Sequence, residues 1–408
     1  MIVVTGLGLV SPHGEDAQAV FEALCRGESA VHEVFRGELP RPAAAATVAF
    51  DETRWFTKLQ LAGVDRVSQL AVAAAELAAR DAALPEGVDP TRVGVFVGCG
   101  MGGGAAIENA YRIGVAGGRV PPLTIPAFMP NAPAAHVAIR QRAQGPVLSY
   151  AVACASSAVA IGEARHALRR GEIDVALAGG SEALIVPGVV AAWQAMQTLA
   201  DFAADGPEAP QAAARACRPF AADRCGFVLG EGAGFLVLEP EAQALARGAR
   251  VRGRLLGYGT SCDAAHLTKP DAAGQARALA AALRDAGLQP GDVGYCNAHG
   301  TATKIGDLVE AQALAQVFGQ ALPGLRVSST KALHGHLLGA AGALEAIVTL
   351  LSLQQQRLPP NVHGAAVEPQ CRLNLVQGRD TAAPGLQAAI SSSFAFGGTN
   401  AVLAFGRA

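Results

Sequence analysis

An apolar, β-prone run from Val147 to Val152 leads into Cys154, and small residues (Ala155, Ser156, Ser157) then open a stretch with helical character that continues to Arg170. A strand that turns straight into a helix constrains the fold, because the two must pack face to face in α/β layers. The corner also has a chemical consequence. A sulfur at a helix start lies near unpaired N–H groups and the positive end of the helix dipole, and both favour the nucleophilic thiolate. Small neighbours leave room for a reactant to approach. A lone cysteine in apolar surroundings is more often inert filling, so the role of Cys154 depends on the rest of the chain.

The alternation continues throughout. Residues 2–10 predict a buried strand turning at Ser11-Pro12-His13-Gly14, with a helix over 16–26. Residues 33–60 read as loop, 67–79 as helix, 92–98 as strand, 173–178 as strand and 201–216 as exposed loop. A glycine-interrupted strand over 227–238 precedes a second half that begins near 250. That half predicts a helix over 274–286, a strand near 293–297, helices over 307–318 and 339–354, and strands over 386–394 and 401–405. This is an α/β pattern. Cys154 and His336 each precede a small-residue helix. One strand–turn–helix unit used twice accounts for that, and so does chance likeness between Ala/Gly-rich helices.

Other function classes are disfavoured. A net charge of −2 argues against a generic nucleic-acid or membrane-surface binder. The eight cysteines form no CxxC pair, so neither a zinc site nor a disulfide framework is expected, and a reduced, cytoplasmic setting fits. No signal-peptide pattern opens the chain, and no uninterrupted apolar run of ~18 residues predicts a membrane span. With 51% hydrophobic and 16% charged residues, a subunit interface is expected. Gly98, Gly100 and Gly103 satisfy GxGxxG after a strand. The dinucleotide fingerprint also needs an acid about 20 positions on, and Pro121–Pro126 holds none, which favours a structural turn.

Three later segments decide the reading: NAHGTATKIGD from Asn297 and SSTKALHGHLLGAAGALE from Ser328 place titratable groups on glycine-bounded turns, and SSSFAFGGTN from Ser391 carries a further glycine turn. A single histidine would be read as structural, but His299, His336 and Lys331 together with the Cys154 corner form a reactive set.

Together these motifs, with VVTGLGLVSP from Val3, resemble the β-ketoacyl-acyl-carrier-protein synthases of the thiolase superfamily, in particular the elongating type I/II enzymes. The resemblance spans essentially the whole chain. It implies a five-layered αβαβα fold of two similar halves, 1–245 carrying the nucleophile and 246–408 carrying the histidines, the lysine and a gating loop. It implies a decarboxylative condensation of an enzyme-bound acyl group with malonyl-acyl-carrier protein. Cys154 would accept the acyl group, His299 and His336 would complete the triad, and Lys331 with Glu310 would form a supporting ion pair. Phe396 would gate the site, its N–H pairing with that of Cys154 as an oxyanion hole. Thr301 and Thr303 would bind the pantetheine arm that arrives on the acyl carrier protein, with no separate cofactor. Asn297 and Glu345 stand where some relatives hold a structural monovalent cation. A homodimer, or a heterodimer with a related chain, is implied.

Departures from the family pattern point to specialisation. Ala395 precedes Phe396 where glycine is frequent, and Cys225 replaces an acid in RCGFVLGEG. Lys304 stands where proline is common, and His334 where threonine is common. Trp193 and Met101 fall at acyl-pocket positions, and bulk there favours short, flat or unsaturated chains over long saturated ones. Gln197 stands where relatives place an arginine, leaving Arg66, Arg112 and Arg119 as candidates for docking an acidic carrier. Thin docking charge and the altered pocket point to polyketide or aryl-polyene assembly as well as fatty-acid synthesis. A chain-length-factor-like partner subunit shares this fold but usually lacks the nucleophile, and Cys154 argues against it. A degradative thiolase lacks the STK and HGH segments, and a dinucleotide oxidoreductase fails on the missing acid.

Overall fold

The computed structural model describes residues 1–85 and 87–408. The first half supplies β1 (Ile2–Val10), β2 (Val93–Gly98), β3 (Val147–Tyr150), β4 (Val175–Glu182) and β5 (Gly232–Pro240). The second supplies β6 (Gly253–Cys262), β7 (Val293–Asn297), β8 (Arg326–Ser328), β9 (Asn374–Leu375), β10 (Ala388–Phe394) and β11 (Thr399–Gly406). They form one eleven-stranded sheet in the order β9-β8-β7-β10-β11-β6-β1-β5-β4-β2-β3. The two runs meet only where Val3 and Val4 of β1 pair with Arg254 and Gly253 of β6. From that seam outward the strand order is the same in both halves, with β9 an added edge. The sense repeats as well: β2 is parallel to β3 and β4, as β7 is to β8 and β10, the added edge β9 is parallel to β8, and the remaining pairs are antiparallel. Duplication, left open by the two small-residue helices, is therefore written in the topology.

Layering follows from which helices are apolar all round. Outer helix α1 (Arg66–Asp81) lies on β1 and β5, and its small Ala71, Ala74, Ala75 and Ala78 allow close approach. In the middle, α2 (Ser156–Arg169) packs against β2 and β4 and against a second central helix from the C-terminal half. On the far side, α3 (Ala272–Ala286) covers β6 and β11, and α4 (Lys304–Phe318) packs on α3. The second central helix, α5 (Ala341–Gln355), is buried at every position from Ala341 to Leu353 and touches β5 and β10. This is the expected αβαβα arrangement of two similar halves. The window Leu338–Gln355 has the length and hydropathy of a membrane span, but 89% of it is buried inside the protein, as befits a central helix.

Some local readings shift. The expected loop over 201–216 contains a helix, Ala209–Ala214, anchored by buried Ala213. Strand β8 and the helical turn Lys331–His334 go unread in the sequence, because three or four residues carry no periodicity and their conformation comes from neighbouring strands. The glycine run after β2 is a packing device. A Cβ on Gly98 would lie 2.2 Å from the Ser157 nitrogen, so glycine lets the helix after Cys154 sit directly on the strand. Gly100 N–H donates to Glu182 Oε2 at 2.8 Å, which gives the turn an internal carboxylate partner. Gly98→Ala should lower unfolding stability by about 2–3 kcal/mol, because the clash is with backbone that cannot swing aside. Urea denaturation measures this, and a loss below about 0.5 kcal/mol would contradict the close approach.

Candidate active site

The turn that carries Cys154 is strained and clamped. Cys154 lies in a single helical turn, Ala153–Ala155, between β3 and α2. Ala153 has φ 48°, a left-handed conformation that costs a non-glycine residue energy and bends the chain sharply enough to present the next side chain. Ser156 Oγ holds the bend, donating to Ala153 O at 2.6 Å and accepting from Val152 N at 3.0 Å. Cys154 is 8% exposed, at one end of a cavity of about 600 Å³ that opens to solvent.

His336 reaches the sulfur from the other half. Gly335, at φ 70°, reverses the chain after the Lys331–His334 turn, and a Cβ there would lie 2.6 Å from Leu229 O. His336 N–H then donates to Val228 O at 2.7 Å, and its own carbonyl accepts from Gly230 N at 2.9 Å. With the backbone held on both sides, the ring places Nε2 3.1 Å from Cys154 Sγ. Leu338 N–H donates to Nδ1 at 3.3 Å, so in the neutral ring the proton sits on Nε2, facing the sulfur.

His299 follows β7, and its turn is fixed by Glu310, whose carboxylate accepts the N–H groups of His299 (2.8 Å) and Gly300 (2.7 Å). The ring stands edge-on to His336, centroids 5.4 Å apart. Cys154, His299 and His336 each bring one ligating atom within 4.8 Å of the others.

Glu310 does not pair with Lys331, as the sequence led us to expect. The Lys331 ammonium, fully buried, bonds to Glu345 on α5 instead. Glu310 is occupied as a backbone acceptor, which leaves Lys331 to the carboxylate that α5 presents. Burial pushes Glu310 up to about 7 against the pull of the Gly300 and His299 N–H groups. Glu345 rises to about 7 from burial, opposed by Lys331. Both histidines are held well below the usual imidazole range, first by burial and then by the Lys331 charge, so they are neutral.

The thiolate expectation is also corrected. Burial raises the Cys154 thiol to about 12, although Lys331 and the N–H groups of Phe396 and of Cys154 itself favour the anion. Removal from water outweighs the helix start.

The other candidates divide. Thr301, Thr303, Trp193 and Phe396 all line the cavity, and the two threonine hydroxyls lie 3.0 Å apart. Met101 does not line it and is 48% exposed. Arg66 is bound to Glu231 at 2.7 Å, which removes it as a free docking cation, and Arg112 pairs with Glu108 on its own helix. Arg119 is exposed. Sequence reasoning missed the latch on the Phe396 loop. Asp263 accepts from Asn400 Nδ2 at 2.6 Å and donates its N–H to Gly398 O, while Gly397 N–H donates to Leu267 O at 2.7 Å. It also missed Glu182, which accepts N–H groups from Gly100 and Gly339 and so ties the two halves together beside the cysteine.

Residues 1–244 match the model for the beta-ketoacyl synthase N-terminal domain, and 252–365 match that for the C-terminal domain. The 3-oxoacyl-[acyl-carrier-protein] synthase 2 of Staphylococcus aureus (strain COL) is 38% identical over 412 residues, covering 99% of this chain and 97% of the relative. A chain of the ishigamide ketosynthase/chain length factor structure aligns at TM-score 0.90 and 32% identity, covering 100% and 99% of the two chains. A type II PKS acyl-carrier protein in complex with its ketosynthase bound to the hexaketide gives TM-score 0.89 at 29% identity, covering 100% and 99%.

Two outcomes test the electrostatics. Iodoacetamide labelling of Cys154 should keep accelerating up to about pH 10, and a plateau below pH 8 would show a thiolate at neutrality. Lys331→Met should cost about 3–5 kcal/mol by stranding Glu345. The raised Glu345 carboxyl favours its protonated form, so the deficit should shrink as pH falls below about 7 and grow above it. Urea titrations at either side of that value measure this, and a pH-independent deficit would contradict it.

Proposed function

The chain belongs to the β-ketoacyl synthase family, and from that premise we propose how its own residues carry the family's condensation. It is an acyl-carrier-protein-dependent 3-oxoacyl synthase, joining an enzyme-bound acyl group to malonyl-acyl-carrier protein to give 3-oxoacyl-acyl-carrier protein. The observation that supports the residue roles is the 3.1 Å contact from Cys154 Sγ to His336 Nε2, beside His299, in a cavity open to solvent.

In the first half-reaction Cys154 Sγ attacks the acyl thioester. The bond to the pantetheine sulfur breaks, and the thiol proton ends on that departing sulfur. A thiol raised by burial keeps its proton until attack. His336 faces it with an N–H, so negative charge growing on sulfur meets a donor. In the second half-reaction the malonyl C–CO₂ bond breaks and its electron pair moves into the thioester, leaving an enolate. Neutral His299 and His336 each donate an N–H to the enolate oxygen. The carbanion attacks the acyl-cysteine, the oxyanion is received by the N–H groups of Cys154 and Phe396, and the released sulfur takes up a proton.

Around this centre Glu310 positions His299 through the backbone, and burial, helped by the Lys331 charge, keeps both imidazoles uncharged. Thr301 and Thr303 bind the pantetheine arm, and Phe396 gates it. Residues 1–245 and 246–408 form the two functional halves. The acyl carrier protein is the partner in turnover, in the cytoplasm, and the chain acts as a homodimer or with a related ketosynthase-like chain. Trp193, packed on Phe227 and Phe396 with centroids 5.3 and 6.1 Å away, favours short or flat acyl chains of fatty-acid or polyketide type. A structural monovalent cation near Asn297 and Glu345 is supported by buried, unpartnered oxygens on Asn297, Glu345, Ser391 and Ser393. Those donors are hard oxygens, as such an ion requires.

Cys154→Ala should abolish both acyl transfer and condensation. His299→Ala and His336→Ala should each slow release of labelled CO₂ from malonyl-carrier protein by ~10²–10³. Unchanged release would reject their role as enolate donors.

A further inference from the structure

We propose that Lys269 and Lys304 form a cationic clamp at the mouth of the Cys154 cavity that binds the phosphodiester of the incoming pantetheine arm, a proposal that rests on the reading of Cys154 as acyl acceptor.

Only four of the chain's 32 basic residues are lysine: Lys58, Lys269, Lys304 and Lys331. Lys331 is buried against Glu345. Lys269 and Lys304 come from separate segments, the loop after β6 and the first turn of α4, yet both line the cavity that contains Cys154. Both are exposed. Among the described residues neither ammonium has a carboxylate within ion-pairing distance, whereas arginines nearby are engaged: Arg41 with Asp201, Arg218 with Asp223, Arg224 with Glu368. The carboxylates that line the cavity are engaged too. Asp307 accepts Phe220 N–H at 2.7 Å, Glu310 holds the His299 turn, and Asp201 has Arg41 at 3.5 Å. The cavity that holds the Thr301 and Thr303 hydroxyls is therefore lined by two exposed lysines with no ion-pair partner among the described residues.

The arm matches this arrangement from its own chemistry. Behind its thioester it is amide-linked and uncharged up to a phosphodiester, its one ionic group, next to the carrier. With the thioester at Cys154 and the carrier outside, that anion lies at the rim. Lysine suits the task, because an ammonium is a point charge on a flexible stem that follows an oxygen rotating on an ester bond. Lys304 also sits on the positive end of a 15-residue helix, so the dipole adds to its charge.

The test compares rates of Cys154 acylation, read by mass spectrometry on the full chain, for one hexanoyl group carried on pantetheine, 4′-phosphopantetheine and coenzyme A. The phosphate should raise the specificity constant about tenfold at low ionic strength, as two exposed ion pairs allow, and the gain should shrink in about 0.5 M salt. In K269Q/K304Q the phosphopantetheine-to-pantetheine ratio should fall to near one, and in K269E/K304E below one. Lys58→Gln, remote from the cavity, should leave the ratio as it is. Coenzyme A should gain nothing beyond phosphopantetheine, placing the recognised charge on the arm's own phosphate. A ratio near one in the native chain, or one that survives both double substitutions, would overturn the clamp while leaving the acyl-acceptor reading intact. Failure of every thioester to label Cys154 would overturn that reading and the clamp with it.

Discussion

A single buried positive charge organises the site. Lys331 has lost all contact with water, and among the described residues only Glu345 forms an ion pair with it. Removing such a pair from water costs more than its mutual attraction readily returns, so its retention has to be understood through what the charge does to its neighbours. It disfavours protonation of His299 and His336, and it draws down the thiol of Cys154 and the carboxyl of Glu310. The proposed reaction, which needs two neutral N–H donors beside a sulfur that must turn anionic, benefits from both effects. Because Lys331 precedes His336 by one short turn and Glu345 lies on a central helix, the charge also ties the histidine's turn to the middle layer.

The same centre explains why burial and reactivity are compatible here. A cysteine this enclosed would be inert if its thiolate had to stand alone. In the proposed reaction its surroundings instead supply donors that meet charge only as it forms: His336 Nε2–H and the N–H groups of Cys154 and Phe396. The strain for this is held locally, in the left-handed Ala153, and is fixed by Ser156.

Much of this was legible in the sequence because glycine and small residues mark places where backbones must touch. The corner at Cys154, the turns before His299 and His336 and the strand–helix alternation all announce themselves that way. The pairing of Lys331 was not legible. Glu310 and Glu345 are both acids at helical positions downstream of a motif histidine, and only the packing of α5 decides which faces the lysine. Met101 lies outside the lining of the Cys154 cavity in this chain, and adjacency to a glycine turn does not say which side of the turn the side chain takes. Short pieces such as β8 carry no periodic signal, and the Asp263–Asn400 latch joins residues too far apart in the chain to be recognised together. The repeated strand order, by contrast, needed coordinates, because unrelated residues build the same path twice.

The central position of α5 bears on how the chain is made. Its apolar surface is covered in part by β10, which is synthesised after it, near the C-terminus. On the ribosome the chain therefore carries this greasy segment with an open flank until the strands that cover it emerge, at a rate of about 5–20 residues per second. During those seconds its resemblance to a membrane segment becomes a liability for self-association. A nascent polypeptide stalled before its final strands is a natural client for chaperones.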